Sequence, residues 1–196
     1  RVCERLEKNF KGLNLTYEVL DGIRNHTKGP FSECLEGRVV RLSDKIAYIN
    51  HDIDDAIRAG IIKGSDIDPA ICKVLGNSKS ERINSMVNSV IFNSIEDIVM
   101  DDETSICFDK LHHFLFDKVY TNPVAKGEES KVAGILTGIF EHIKNNPNKL
   151  PSEYNVIVEA EGLERAILDH IAGMTDHYAV EVYNQYFIPK SWAMDV

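Results

Sequence analysis

Four carboxylates, a lysine, a tyrosine and a histidine lie close together in the stretch RLSDKIAYINHDIDDAIRAG, residues 41–60. On a helix that turns about 100° per residue, Asp44, Tyr48 and Asp52 are stacked at successive i,i+4 steps, with Lys45 at the margin of their face. Asp is a poor helix former, and the helix dipole disfavours anions in the C-terminal half. A face that binds a cation and a substrate would explain why these carboxylates are tolerated. The alternative is an ordinary solvent-exposed face.

The opposite side of the same helix is apolar. Its residues fall in one stripe roughly 80° wide, which we expect to be buried: Val39, Leu42, Ile46, Ile49, Ile53 and Ile57. On the polar side, which also carries His51, Asp44, Asp52 and Asp55 have only Lys45 nearby to offset their charge. Like charges at i,i+3 and i,i+4 spacing cost a little stability, and a helix built for stability alone would more often carry Glu and Lys.

Three dipeptides hold residue types that bind metals: His51-Asp52, His112-His113 and Asp176-His177. Each pair by itself is weak evidence, because such dipeptides arise often by chance. The helix of His112 and His113 has a core-like opposite face, so we expect these two side chains to line a groove or meet solvent. No three His, Cys, Asp or Glu residues show the spacing of a zinc site. The sequence also lacks a glycine-rich phosphate loop, a G-x-S-x-G elbow and a Cys/His nucleophile pattern.

Composition narrows the class of protein. A chain of 196 residues, with 43% hydrophobic and 27% charged residues, suits one globular domain or a large part of one. The net charge of -9 argues against a general nucleic-acid binder, because nothing basic dominates to neutralise phosphates. The four cysteines form no C-x-x-C pair and indicate reduced thiols in a cytoplasmic protein. We find no membrane-spanning run and no secretory signal.

Hydrophobic spacing and capping residues predict an all-α single domain over residues 1–196. The predicted helices, several of them bounded by capping, Gly or Pro residues, are 16–26, 36–59, 69–76, 80–99, 106–120, 128–144 and 161–187. The chain opens with RVCERLEKNF, which has no Met and is typical of the middle of an amphipathic helix. We therefore expect an N-terminally truncated chain.

Four blocks carry a specific resemblance: LNLTYEVLDGIRNHTKGP, EGRVVRLSDKIAYINHDIDDAIRAGII, FLFDKVYTNP and HIAGMTDHYAVEVYNQYFIPKSW. In order and spacing they resemble the deoxyguanosinetriphosphate triphosphohydrolase-like branch of the HD-domain phosphohydrolases. The resemblance implies an HD-domain-like helical enzyme that cleaves a deoxynucleoside triphosphate (dNTP) to a deoxynucleoside and intact triphosphate. It also implies a divalent metal cofactor, with Mg²⁺ or Mn²⁺ as first choices, and a homo-oligomer without a membrane partner.

Residue roles follow from the same resemblance. Asp44 matches the last of four metal ligands, and Lys45 matches a residue that contacts the substrate phosphates. Tyr48 matches a residue that packs beside the sugar, and Asp52 matches one that accepts a hydrogen bond from the 3′-hydroxyl. Helix 106–120 is assigned no substrate contact, because it is apolar where a distant relative is polar.

The first metal-binding His, the His-Asp dipeptide and a catalytic His of the family all precede the block with which this chain begins. His51-Asp52 is not that dipeptide, because it lies inside the motif of the last metal ligand. We therefore expect the 196-residue chain alone to bind metal weakly and to be inactive as a dNTP hydrolase. The alternative is a non-catalytic nucleotide-binding or regulatory module of the same fold. Retention of the four matched residues favours the enzyme.

Overall fold

The computed structural model describes residues 1–190, apart from the side chains of residues 124 and 125. Every regular element among these residues is helical, which confirms the all-α prediction. The described residues form two compact units, one of residues 14–126 and one of residues 1–13 with 127–190. The prediction of a single domain stays a prediction, and each unit is described by itself. None of the described helices is long and apolar enough to cross a membrane.

The unit of residues 14–126 contains five main helices. They are α1 (Tyr17–Arg24), α2 (Leu35–Arg58), α3 (Pro69–Leu75), α4 (Lys79–Asn93) and α5 (Asp102–Leu115). A π-helical turn, Phe116–Tyr120, continues α5, and a last helical turn covers Pro123–Lys126. In the core of this unit α2 packs on α4 and α5, and α3 packs on the same two helices. The core is filled by side chains such as Ile49, Ile53, Leu75, Met86, Leu111 and Leu115.

Local capping sets where these helices begin. The Asp68 carboxylate accepts a hydrogen bond from the Ala70 amide at 2.8 Å, ahead of Pro69 in the first turn of α3. Ser78 and Glu81 form a reciprocal capping box at the start of α4. Asp101 caps α5, which therefore begins four residues earlier than the predicted start at residue 106.

One long helix was predicted too far toward its C-terminus. α4 ends at Asn93, and residues 94–101 form bends and an irregular segment instead of continuing to residue 99. Ser94 leaves the helical region with ψ of 106°, and its hydroxyl exchanges hydrogen bonds with the backbone of Val99. Such side-chain bonds offer the backbone an alternative to the helix. The segment carries Ile98, Val99 and Met100 to the side of α2 on which the candidate site lies.

The main helices among the described residues of the second unit are α6 (Glu129–Asn145), α7 (Asn155–Glu161), α8 (Leu163–Ala172) and α9 (Asp176–Phe187). Short helical turns cover Val2–Leu6 and Glu7–Phe10. The prediction of one helix over residues 161–187 is wrong. The chain turns at residues 173–175, and Thr175 caps a new helix by accepting the Tyr178 amide at 3.2 Å. Residues 1–13 belong to this unit, where Arg1 pairs with buried Asp169 and with Glu161.

Candidate functional site

The polar face of α2 is partly covered by other helices. Asp44 is exposed, whereas Lys45, Tyr48 and Asp52 are half-buried. On the opposite side the predicted apolar stripe is buried at its centre. Its two ends are not buried: Val39 and Ile57 are 43% and 41% exposed, whereas Ile46, Ile49 and Ile53 belong to the core.

Tyr48 packs against the core and against the ring of His112 from α5. The two ring centroids lie 6.2 Å apart with the planes nearly perpendicular, at 79°. Burial raises the pKa of the Tyr48 hydroxyl, and the negative charges of Asp52 and Asp44 add to the effect. The phenol therefore stays neutral at physiological pH. His112 is half-buried in this contact, whereas His113 meets solvent, and its Nδ1 lies 2.7 Å from the Asp109 carbonyl.

Tyr120 is the residue of this site that the sequence reasoning missed. Its hydroxyl donates a hydrogen bond to Asp52 Oδ2, across 68 positions of sequence. Burial raises the pKa of Tyr120 well above its usual value, and the bond to Asp52 raises it further. Tyr120 lies in the block FLFDKVYTNP, which is part of the family resemblance but assigns no role to any of its residues. Asp52 Oδ1 accepts no hydrogen bond from any described residue, so this oxygen is open to a ligand.

The other two aspartates of α2 have structural partners. Asp54 lies 3.0 Å from Lys79 Nζ and 3.9 Å from the buried guanidinium of Arg82. Asp55 pairs with Arg58 at 3.3 Å on the surface. The argument that only Lys45 offsets the acidic residues of this helix is therefore wrong for Asp55. Two of the four aspartates in residues 41–60 thus form ion pairs, whereas Asp44 and Asp52 do not.

His51 is also explained by its neighbours. The histidine is exposed, and its Nδ1 lies 3.2 Å from Lys79 Nζ of α4. The two side chains of His51-Asp52 therefore have different partners: His51 contacts Lys79 of α4, and Asp52 accepts the hydroxyl of Tyr120. In the second unit, His177 meets Glu181 at 3.2 Å on an exposed helical turn. Neither dipeptide acts as a pair in this structure.

Asp44 and Lys45 have no ion pair with any residue in the part of the chain that the structure describes. Lys45 lines a cavity of about 490 Å³ between α2, α5 and residues 98–100. Across residues 1–190, no three His, Cys, Asp or Glu side chains gather in a way that could hold a metal ion. Asp44 and its described neighbours therefore do not make a metal centre by themselves, and its assignment as a ligand depends on the family resemblance.

The amino-acid sequence matches one protein family and several named relatives. Residues 98–185 match the family described as "Phosphohydrolase-associated domain". The chain is 45% identical to the "Deoxyguanosinetriphosphate triphosphohydrolase-like protein" of Caldanaerobacter subterraneus over 194 residues, 98% of this chain and 57% of the relative. It is 44% identical to the protein of that name from Clostridium perfringens, covering 97% of this chain and 59% of the relative.

A more distant relative of the same name, from Geobacter metallireducens, is 27% identical over 243 residues, covering 96% of this chain and 63% of that protein. The similarities confirm the family resemblance that the four sequence blocks indicated, and they indicate a phosphohydrolase family. The chain spans less than two thirds of the length of each of these relatives.

Proposed function

We propose that this chain, a homologue of the deoxyguanosinetriphosphate triphosphohydrolase-like proteins, binds a dNTP along the polar face of α2 and serves its hydrolysis to deoxynucleoside and triphosphate. In this reaction water forms a new bond to the α-phosphorus while the bond from that phosphorus to the sugar 5′-oxygen breaks. The deoxynucleoside leaves with a proton on its 5′-oxygen. The residues of the face bind and orient the nucleotide for this step.

The sugar end of the nucleotide would lie at Asp52 and Tyr48. One oxygen of Asp52 is held by Tyr120, which leaves Oδ1 to accept a hydrogen bond from the 3′-hydroxyl. The Tyr48 ring is fixed by the core and by His112, so it offers a rigid surface against the 2′ position of the sugar. A held acceptor beside a fixed ring would recognise a deoxyribose by hydrogen bonding and by shape.

The phosphate end would lie one to two turns nearer the start of α2. Lys45 is seven residues from Asp52, or about 10.5 Å along the helix axis at 1.5 Å per residue. Its ammonium group has no described ion-pair partner and is therefore free to neutralise phosphate charge. Asp44 would contribute one carboxylate oxygen to the divalent ion that hydrolases of this type use to polarise phosphate oxygens or water.

The observation that carries this proposal is the half-buried Asp52, with one oxygen fixed by Tyr120 and the other open, on the same face as the unpaired Lys45. Because the 196-residue chain alone is expected to be inactive, the test uses a longer protein in which this chain is joined to the upstream part of the family's site. That protein is incubated with dGTP and Mg²⁺ or Mn²⁺, and the products are separated. Deoxyguanosine and inorganic triphosphate are expected in equal amounts. Release of dGDP and phosphate would contradict the proposal.

A pair of lysine variants tests the phosphate contact. In the same longer protein, Lys45→Ala should lower kcat/KM for dGTP by at least about tenfold, the scale of a lost interaction with a charged group. Lys110→Ala, on the exposed side of α5, is the matched control and should leave the rate unchanged. Equal rates for the two variants would remove Lys45 from the site. Homo-oligomer formation and the cytoplasmic location stay predictions from the resemblance and the composition.

A further inference from the structure

The cavity beside Lys45 is built from one stripe of α2 and the facing side of α5. Arg38, Arg41 and Lys45 line it from α2, and Ser105 and Phe108 line it from α5. Phe31 and residues 98–100 close further sides. A volume of about 490 Å³ is ample for a small organic or inorganic ion. The lining combines cations with apolar walls, an environment in which charge interactions are stronger than in open water.

The three cationic side chains of the cavity differ in whether a carboxylate already neutralises their charge. Arg38 is neutralised by an ion pair with Asp97 at 2.9 Å, and it also donates a hydrogen bond to the Ser32 carbonyl at 2.8 Å. Arg41 holds three backbone carbonyls through Nη1 and lies over the Phe31 ring at 4.8 Å. No carboxylate among the described residues neutralises Arg41, and its Nε is shielded from solvent without an acceptor. Lys45 is unpaired as well, so two positive charges remain available.

Arg41 and Lys45 continue the line of the proposed substrate residues. At about 100° per residue, Arg41, Lys45, Tyr48 and Asp52 fall within about 60° of one another around the α2 axis. Along the axis, Lys45 is about 10.5 Å and Arg41 about 16.5 Å from Asp52, at 1.5 Å per residue. A nucleotide with its 3′-hydroxyl at Asp52 and its first phosphate near Lys45 would therefore extend its remaining phosphates into the cavity.

Two carboxylates lie at the rim of the cavity. Asp102 and Asp109 of α5 also line it, but both are exposed, whereas Arg41 and Lys45 are half-buried. Exposed charges are screened by solvent and salt more than half-buried ones. The cations should therefore dominate inside the cavity, while the rim acids weaken the attraction for an anion.

We infer that this cavity binds the terminal phosphates of the nucleotide, with Arg41 as a contact beyond Lys45. The inference depends on the proposed function for the position of the sugar, but its chemistry can be tested without turnover. The probe is inorganic triphosphate, and the measurement is its affinity for the protein by isothermal titration calorimetry, together with its competition against dGTP.

Ser105 offers a matched pair of variants, because it lines the cavity and makes no side-chain hydrogen bond with described residues. Ser105→Glu places a negative charge inside the cavity, and Ser105→Gln places the same bulk without charge. We expect Ser105→Glu to weaken triphosphate binding at least about tenfold relative to Ser105→Gln, since one unit charge meets several on the ligand. Asp109→Asn, which removes a rim charge, should strengthen binding a few-fold.

Triphosphate should also compete with dGTP in the unmodified protein. Equal affinities for Ser105→Glu and Ser105→Gln, or weaker binding to Asp109→Asn, would overturn the inference, and so would binding that does not compete with dGTP. If dGTP is hydrolysed to triphosphate while the Ser105 pair shows no difference, the proposed function stands and the cavity assignment fails. If the Ser105 and Asp109 variants behave as expected but dGTP is neither bound nor hydrolysed, the cavity binds anions other than this nucleotide, and the proposed function fails together with the assignment to the nucleotide phosphates.

Discussion

Replacing Asp52 by alanine should weaken the binding of nucleotides that carry a 3′-hydroxyl, and spare those that lack it. In the structure one carboxylate oxygen accepts the Tyr120 hydroxyl and the other has no described partner. The open oxygen is the proposed acceptor for the 3′-hydroxyl. The matched ligands are therefore dGTP and its 2′,3′-dideoxy analogue, which differ by this group alone.

The magnitude follows from the charge and the burial of the acceptor. A hydrogen bond to a charged group contributes about 1.5–3 kcal/mol. Asp52 is half-buried, so water competes for its open oxygen, and we expect the lower part of that range. The dissociation constant for dGTP should rise roughly ten- to thirtyfold, since about 1.4 kcal/mol corresponds to a factor of ten. For the dideoxy analogue, which binds weakly to begin with, the further loss should be less than about twofold on the same scale.

Two further variants distinguish the contact between Asp52 and the sugar from the hydrogen bond by which Tyr120 fixes Asp52. Tyr120→Phe keeps Asp52 but removes the bond that fixes it, so affinity for dGTP should fall only a few-fold. The loss of a hydrogen bond to the charged carboxylate should lower the free energy of unfolding by about 1.5–3 kcal/mol, measured by urea denaturation. Asp55→Ala, on the exposed surface of the same helix, is the control and should leave affinity for both nucleotides unchanged.

The comparison of the two nucleotides also contains the result that would refute this reasoning. An equal loss of affinity for dGTP and for the dideoxy analogue in Asp52→Ala would mean that the carboxylate supports the fold or the phosphates instead of the sugar. No loss for either ligand would mean that Asp52 lies outside the site. A change in affinity for Asp55→Ala would show that general negative charge on α2, and not a specific acceptor, is responsible.

The remaining predictions test contacts that stabilise α2, α4 and α5, the helices around the candidate site. Arg82, which is 4% exposed, donates to the buried Asn50 side chain at 2.9 Å, so Arg82→Met should lower the free energy of unfolding by about 1–3 kcal/mol in urea. The pKa of Asp101 is lowered from 3.8 to about 2 by the Ser89 hydroxyl and by the start of α5, so its stabilisation is present above pH 4 and is lost as the pH falls toward 2. In Asp101→Asn the Tm should therefore be lower at pH 7 and should fall less steeply from pH 5 to pH 2; an unchanged pH profile would contradict the role of this carboxylate. Gly37→Ala would place a methyl group 2.6 Å from a side-chain carbon of the neighbouring loop and should cost about 1–3 kcal/mol in urea, while Gly64→Ala, with open space around it, should not.

The sequence alone determined the all-α class, the approximate positions of several helices and the polar face of α2. The short helix with Pro69 at its start and Gly76 after its end was predicted within a residue, because capping groups and backbone preferences are local. The i,i+4 spacing of Asp44, Tyr48 and Asp52 likewise fixed their common face without any tertiary information. Helix ends that depend on less typical signals, such as the end of α4 at Asn93, were predicted wrongly.

Only the tertiary structure decided what these side chains meet. The contact of Tyr120 with Asp52 joins residues 68 positions apart, and the pairing of Asp54 with Lys79 depends on how α4 packs on α2. The cavity beside Lys45 exists because residues 98–100 leave the helix and lie near α5. Helix formation is governed by neighbours within about four residues, whereas these contacts arise from packing between elements. The spacing of hydrophobic residues along a sequence shows which face of a helix is buried, but it does not show which other helix will cover that face.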